Sequence, residues 1–394
     1  MNKDTMDLIQ RTKKFWKWFS DNEERISELA EHGDHEALYA FVSEGVSIIS
    51  EDINFGIGKD HVLEFTAEGD DALFLLLPYV TSNAPKKYQK KWKFFPYTQR
   101  TDNDNLSLRM YGITISVKDI MVSAKKHNNG STADLRFYAK AWSSLNETER
   151  YNAFYDAMKL YIGEPLTQYR VWDTRYVNKK EKGMFPLTEL RGWMLKNLCD
   201  DGKEPDPLRT LFSYERVPDG TGLRRDVFAG VFGCRYGIIN DYYGEAYESY
   251  DQFTAAGAKP AFLYYPVNWH KKGCGDHCGC RHNADEHNNE DHDDDDNEEL
   301  HPIYKERDDI MDILTKDVLG ERGSGKEIGI ILGSAMGQYR AYIDLFLYDD
   351  KEFVKKARKA LADKPYIFVL KEFRHDGNET LLAGIPIRFG RPAP

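Results

Sequence analysis

One arrangement recurs along this chain and limits its fold more than any other feature: strand, strand, helix, strand. In the first copy Ile53 to Ile57 and Val62 to Ala67 alternate as strands, Asp70 and Asp71 can cap a helix reaching about Asn83, and Trp92 to Tyr97 is a third strand. Pro78 is expected to kink that helix. The second copy runs from Ile120 to Lys126, turns at Asn128-Asn129-Gly130, and continues with Leu135 to Ala141. A helix capped by Asn146 and reaching about Ile162 follows, then a strand from Thr167 to Tyr176. The last copy has Glu327 to Leu332, Tyr339 to Tyr348, a helix capped by Asp349 or Asp350, and Tyr366 to Phe373. Residues 210–269 hold a weaker version, with strands near Leu211 to Val217 and Ala261 to Tyr265.

Four such units taken as two pairs predict an α+β protein of two related domains built from repeated ββαβ units. Each is expected to be ferredoxin-like, with an antiparallel sheet covered by helices on one face. The polar stretch CDDGKEPDPL at 199–208 supplies Gly202, Pro205 and Pro207 as a linker, which sets the domains at residues 1–200 and 201–394. Ahead of the first unit, Leu8, Phe15, Phe19, Ile26 and Leu29 fall on one face of a helix over residues 5–31, widened by Trp16 and Trp18. Such an aromatic stripe is expected to bury in a core and not to stack a ligand. Gly33 ends that helix before a second one at about 35–48.

Against this background one segment stands out. Gly273 to Pro302 contains three of the five cysteines and five of the eleven histidines. From Cys274 to His301 it holds eleven acids against the single Arg281, a net of −10 out of the chain's −11, so the rest is close to neutral. With so few apolar residues, 271–302 is expected to be a disordered insertion in the second domain unless a metal orders it. Cys274, His277, Cys278, Cys280 and His282 are its candidate ligands, since thiolate and imidazole suit zinc, nickel or copper. The crowded spacing is not that of a structural finger, and the competing reading is a solubilising acidic loop that meets metals only incidentally. Calcium fits less well. Asp291, Asp293 and Asp295 match the first ligands of an EF-hand, but Asp296 stands where glycine is needed and Pro302 where glutamate is needed.

Several local patterns together resemble a bacterial family without an assigned activity, marked by an FWxWF helix followed by an Asn-Glu pair. The matching stretches are Phe15 to Phe19 with Asn22-Glu23, INFGIG at 53–58, LEFTAEGDDALF at 63–74, Ala84-Pro85 ahead of Trp92-Lys93-Phe94, and IGEPLTQYRV at 162–171. The family more often has Leu-Gly-Glu where this chain has Ile162-Gly163-Glu164. The resemblance covers roughly the first 190 residues. It implies no activity, cofactor or site residue.

The remaining motifs favour bland readings. Gly320 to Lys326 nearly completes a P-loop, but Glu327 replaces the magnesium-binding hydroxyl and a strand follows instead of a helix, so a glycine-rich turn is expected. Lys86, Lys87, Lys90, Lys91 and Lys93 alternate with Tyr88, Trp92 and Phe94, which reads as a turn entering a strand with aromatics inward, ahead of a nucleic-acid track. His32 and His35 flank Asp34 as a polar interhelical turn before a metal pair. Cys199 and Cys234 read as buried thiols, with no local sign of a nucleophile. There is no Gly-x-Ser-x-Gly elbow, HExxH or dinucleotide fingerprint.

No basic start with an apolar run and no 18-residue apolar window occur, so a cytoplasmic protein without a membrane partner is expected, and a near-neutral body gives no reason for nucleic-acid binding. The leading expectation is a non-catalytic binding or regulatory protein whose partner is another protein, an immunity-type role being one form; no catalytic or cofactor-binding residue is assigned. The alternative is a metal-handling protein working through the Cys/His loop at 274–292. A weaker third is a hydrolase with an interdomain site.

Overall fold

The computed structural model describes residues 6–384, apart from 59, 129, 200, 201, 205, 207, 234–236 and 268–301. The chain is a mixed α+β protein in two units, the first comprising Met1–Met6 and Gln10–Thr210, the second Asp7–Ile9 and Leu211–Pro394. Among the described residues no helix is long and apolar enough to cross a membrane.

The first unit opens with α1 (Leu8–His32), whose residues from Gln10 belong to it, and α2 (His35–Val46). Phe15, Trp16 and Phe19 are buried, so the aromatic stripe is core. Gly33 takes a left-handed φ of 73° between the helices, and the Asp34 side chain caps α2 by accepting from the Ala37 amide. β1 (Asn54–Gly58), β2 (Val62–Thr66), α3 (Asp71–Ser82) and β3 (Lys93–Phe95) follow, with β1 antiparallel and β3 parallel to β2. Asp70 caps α3 through the Ala72 and Leu73 amides, and Pro78 lies inside the helix. A hairpin of β4 (Ser107–Met110) and β5 (Ile113–Ser116) leads to the second copy of the motif.

That copy comprises β6 (Met121–Lys126), β7 (Ala133–Tyr138), α4 (Glu147–Ile162), α5 (Glu164–Arg170) and β8 (Val171–Tyr176). β9 (Phe185–Pro186) and α6 (Leu190–Leu198) complete the unit. The sheet order is β8-β7-β6-β9, with β6 antiparallel and β8 parallel to β7, the same handover as in the first copy. Val122, Leu135 and Phe137 pack there with Phe154, Met158 and Leu190. The strand expected from Thr167 is shorter. Gly163 at φ 85° ends α4, and Pro165 in the first turn starts α5, so residues 164–170 are helical and only Val171 onward is extended.

The second unit holds β10 (Phe212–Glu215), β11 (Val227–Phe232), α7 (Gly237–Tyr243), α8 (Glu248–Ala255) and β12 (Lys259–Pro266). It continues with α9 (Pro302–Ile313), which runs into a π-helical turn at Leu314–Leu319. β13 (Gly329–Gly337), β14 (Arg340–Leu347), α10 (Asp350–Ala360), β15 (Phe368–Glu372) and β16 (Glu379–Ala383) follow. The strands form one antiparallel sheet in the order β10-β11-β13-β14-β12-β15-β16.

Alternation along β14 divides the two faces. Ala341, Ile343 and Leu345 join one apolar core with Ile310 and Leu314 and with Phe353 and Ala357 of α10. Tyr342, Asp344 and Phe346 occupy the opposite face, where Phe253 of α8 meets Phe346 at 4.7 Å and Tyr242 of α7 meets Phe262 at 5.8 Å. Helices expected on one face of this sheet therefore lie on both. The sequence pattern also missed β11 and β16.

Candidate functional site

The expected ligands Cys274, His277, Cys278, Cys280 and His282 lie outside the described residues. Among the described residues no group of three or more His, Cys, Asp or Glu side chains is placed to hold a metal ion. Cys234 is likewise outside, and Cys199 is a free, half-buried thiol beside the core of the first unit. The strongest concentration of chemistry falls where no motif pointed, on the polar-aromatic face of the seven-stranded sheet.

At its centre Asp344, an acid inside the apolar strand β14, is wholly buried together with Arg224. The guanidinium donates from Nη1 to Asp344 Oδ1 at 2.5 Å and from Nη2 to Asp344 Oδ2 at 3.4 Å and to the Tyr214 hydroxyl at 2.9 Å. Two charges removed from water in this way are tolerable only as such a pair. Burial pushes the Asp344 carboxyl up, with the Arg224 charge offsetting part of the effect. Burial alone would lower the Arg224 guanidinium, but Asp344 together with Tyr214 and Tyr243 outweighs it and holds the arginine well above its ordinary value. Its Nε has no hydrogen-bond acceptor among the described residues. Aromatic rings surround the group instead, with Phe373 at 4.9 Å and Phe262 and Tyr342 at 5.3 Å.

A second buried acid extends the network. Asp226 Oδ2 accepts from the Tyr339 and Arg340 amides at 3.0 and 3.1 Å, and its Oδ1 accepts from the Tyr342 hydroxyl at 2.5 Å. Tyr342 in turn accepts from the Arg224 amide at 2.9 Å. Burial and then Asp226 push the Tyr342 hydroxyl far up, so it is a fixed donor. Burial also raises the Tyr242 hydroxyl to about 12. A side chain at Gly337 would collide with the Asp226 carboxylate, which explains a glycine at the end of β13. Arg224 adopts a left-handed φ of 62°, a strain of about 1–2 kcal/mol that the surrounding bonds offset. These groups tie the loop before β11 to the β13–β14 hairpin.

Two further acids behave alike. Glu164 is buried at the start of α5. Its Oε1 accepts from the Thr66 hydroxyl at 2.6 Å and the Ala67 and Glu68 amides at 2.9 and 3.0 Å, and its Oε2 from the Thr98 amide at 2.9 Å. The Gly-Glu-Pro stretch in the family resemblance is thus a tie from α5 back to the end of β2. Glu327 accepts from the Gly323 amide at 2.9 Å and the Ser324 hydroxyl at 3.0 Å, so the glycine turn at 320–326 wraps an acid of its own.

The other motifs fall into place. Trp92 is buried while Lys86, Lys87, Lys90, Lys91 and Lys93 are exposed, and Lys91 pairs with Glu23 at 2.9 Å. His32 meets the Glu28 carbonyl at 2.7 Å. Sequence reasoning missed Arg224, Asp226, Tyr342 and Asp344. The available signal was an aspartate within YIDLFLY, because an acid inside an otherwise apolar strand requires a buried donor.

No family model matches this chain, and no curated protein or solved structure matches it.

Proposed function

We propose that this is a non-catalytic binding or regulatory protein that acts on another protein in the cytoplasm, on a scaffold of ferredoxin-like ββαβ units. The observation that carries this reading is the commitment of the buried acids. Glu164, Asp226 and Asp344 each accept hydrogen bonds that join separate segments, and Glu327 closes the glycine turn just before it. An acid spent on fixed donors strengthens a scaffold and leaves little capacity to move protons. The ferredoxin-like reading is supported by β15-β12-β14-β13, a split βαβ order in which α9 and α10 share one apolar core. Affinity capture with the full chain would recover a stoichiometric protein partner. Recovery of none, together with turnover in a broad hydrolase screen, would overturn the reading.

A second reading rests on donor chemistry alone. Cys274, Cys278 and Cys280 with His277 and His282 suit zinc, nickel or copper(I), which a metal-handling protein would capture. Tag-free protein would then carry stoichiometric metal that the triple Cys→Ser variant loses while keeping its fold. Metal-free protein that ignores added zinc would end this reading.

A further inference from the structure

β8 is the last strand of its sheet among the described residues, and its sequence Val171-Trp172-Asp173-Thr174-Arg175-Tyr176 is unusual for an open edge. Natural edges are blunted by proline, by charged side chains and above all lysine, by bulges or by very short strands. Here six residues run without proline or lysine, and the two exposed charges, Asp173 and Arg175, are opposite in sign, with Trp172 52% exposed. Trp172 is the extra residue of a bulge against Ala133 and Asp134. Its ring stacks on His127 at 4.6 Å, and His127 is held by Asp134 at 3.0 Å. The aromatic is therefore presented on a fixed support.

The backbone shows which groups the edge offers. The Val177 amide donates to the Phe137 carbonyl at 2.9 Å, and Phe137 registers on Tyr176 in the parallel ladder. In such a ladder alternate residues turn inward, so 173, 175 and 177 bond to β7 while Thr174 and Tyr176 direct amide and carbonyl to the open side. A strand added antiparallel by a second copy must match outward groups with outward groups. The two-fold axis then passes through a residue, not between two. Centring on Asp173 or on Arg175 sets that residue against its own copy, like charge against like. Centring on Thr174 instead sets Asp173 opposite the other copy's Arg175 twice.

We propose that β8 is a self-complementary docking edge at which two copies of this chain pair antiparallel about Thr174, joining two four-stranded sheets into one of eight strands. The interface is isologous, the usual form for a two-fold dimer. It requires no external partner.

Sedimentation velocity of the full chain tests this. The native protein forms a reversible dimer with a dissociation constant of about micromolar order. Asp173→Arg or Arg175→Asp alone places like charges opposite each other and weakens association at least about tenfold. Mixing those two variants restores a dimer, because every opposed pair then carries opposite charge, and the double variant Asp173→Arg/Arg175→Asp dimerises by itself. Thr174→Pro removes an outward amide and is expected to be monomeric with a native circular dichroism spectrum. A native protein that stays monomeric to about 100 µM would overturn the proposal. So would single variants that dimerise unchanged, or a mixture that fails to associate.

Discussion

Trp92 donates its indole Nε1–H to Glu23 Oε1 at 2.8 Å, joining α1 to the start of β3 across 69 positions of sequence. Lys91 reaches the same oxygen at 2.9 Å, and Ser27 donates to it at 2.8 Å. One carboxylate thus receives an indole, an ammonium and a hydroxyl.

This arrangement sets a pH dependence. Burial by itself would raise the Glu23 carboxyl, but the bonds from Trp92, Lys91 and Ser27 outweigh it and hold the group below its ordinary 4.5. An acid with a folded value below its unfolded one stabilises above the unfolded value and loses that contribution as pH falls through the folded value. Stability should therefore decline below about pH 4.5 partly through Glu23. Glu23→Gln should flatten that part of a urea-midpoint profile against pH, while an unchanged slope would show that Glu23 has no part in it.

Glu164→Gln keeps the size of the side chain but puts an amide NH2 where one oxygen accepts. At least one of the Thr66, Ala67, Glu68 and Thr98 donors then faces another donor. A loss of about 1–3 kcal/mol is expected from chemical denaturation. A neutral result would remove Glu164 as a tie.

Gly45 in α2 lies directly beneath the Trp18 ring, and an added Cβ would enter that ring's space. Glycine to alanine in a helix normally gains about 1 kcal/mol, but overpacking costs about 1–3 kcal/mol, so Gly45→Ala should destabilise. Trp18→Leu in the same chain should recover part of the loss, and stabilisation by Gly45→Ala alone would contradict the packing.

Much of the local structure was legible in the sequence. Asn146 forms a capping box with Glu149, Asp349 caps α10 through the Glu352 amide, and Gly33 separates α1 from α2, each signal lying within a few residues of its effect. The failures were of two kinds. Residues 167–170 pattern like a strand continuing into β8, but Pro165 and the Glu164 tie make 164–170 helical. The Arg224–Asp344 pair spans 120 positions, and no local period carries such information. Exposed charges are common in this chain, so composition did not distinguish these two. Only the fold shows which arginine meets the acid in β14.

The central claim is that the buried charges hold the scaffold together, and a double-mutant cycle on Arg224 and Asp344 tests it most directly. Arg224→Met should cost about 3–5 kcal/mol in urea denaturation, because it strands Asp344 without a counterion in the interior. Arg224→Met with Asp344→Leu should recover most of that loss, to within about 1–2 kcal/mol of the native protein. If the single substitution is neutral, or if the two losses simply add, the pair is not the tie described.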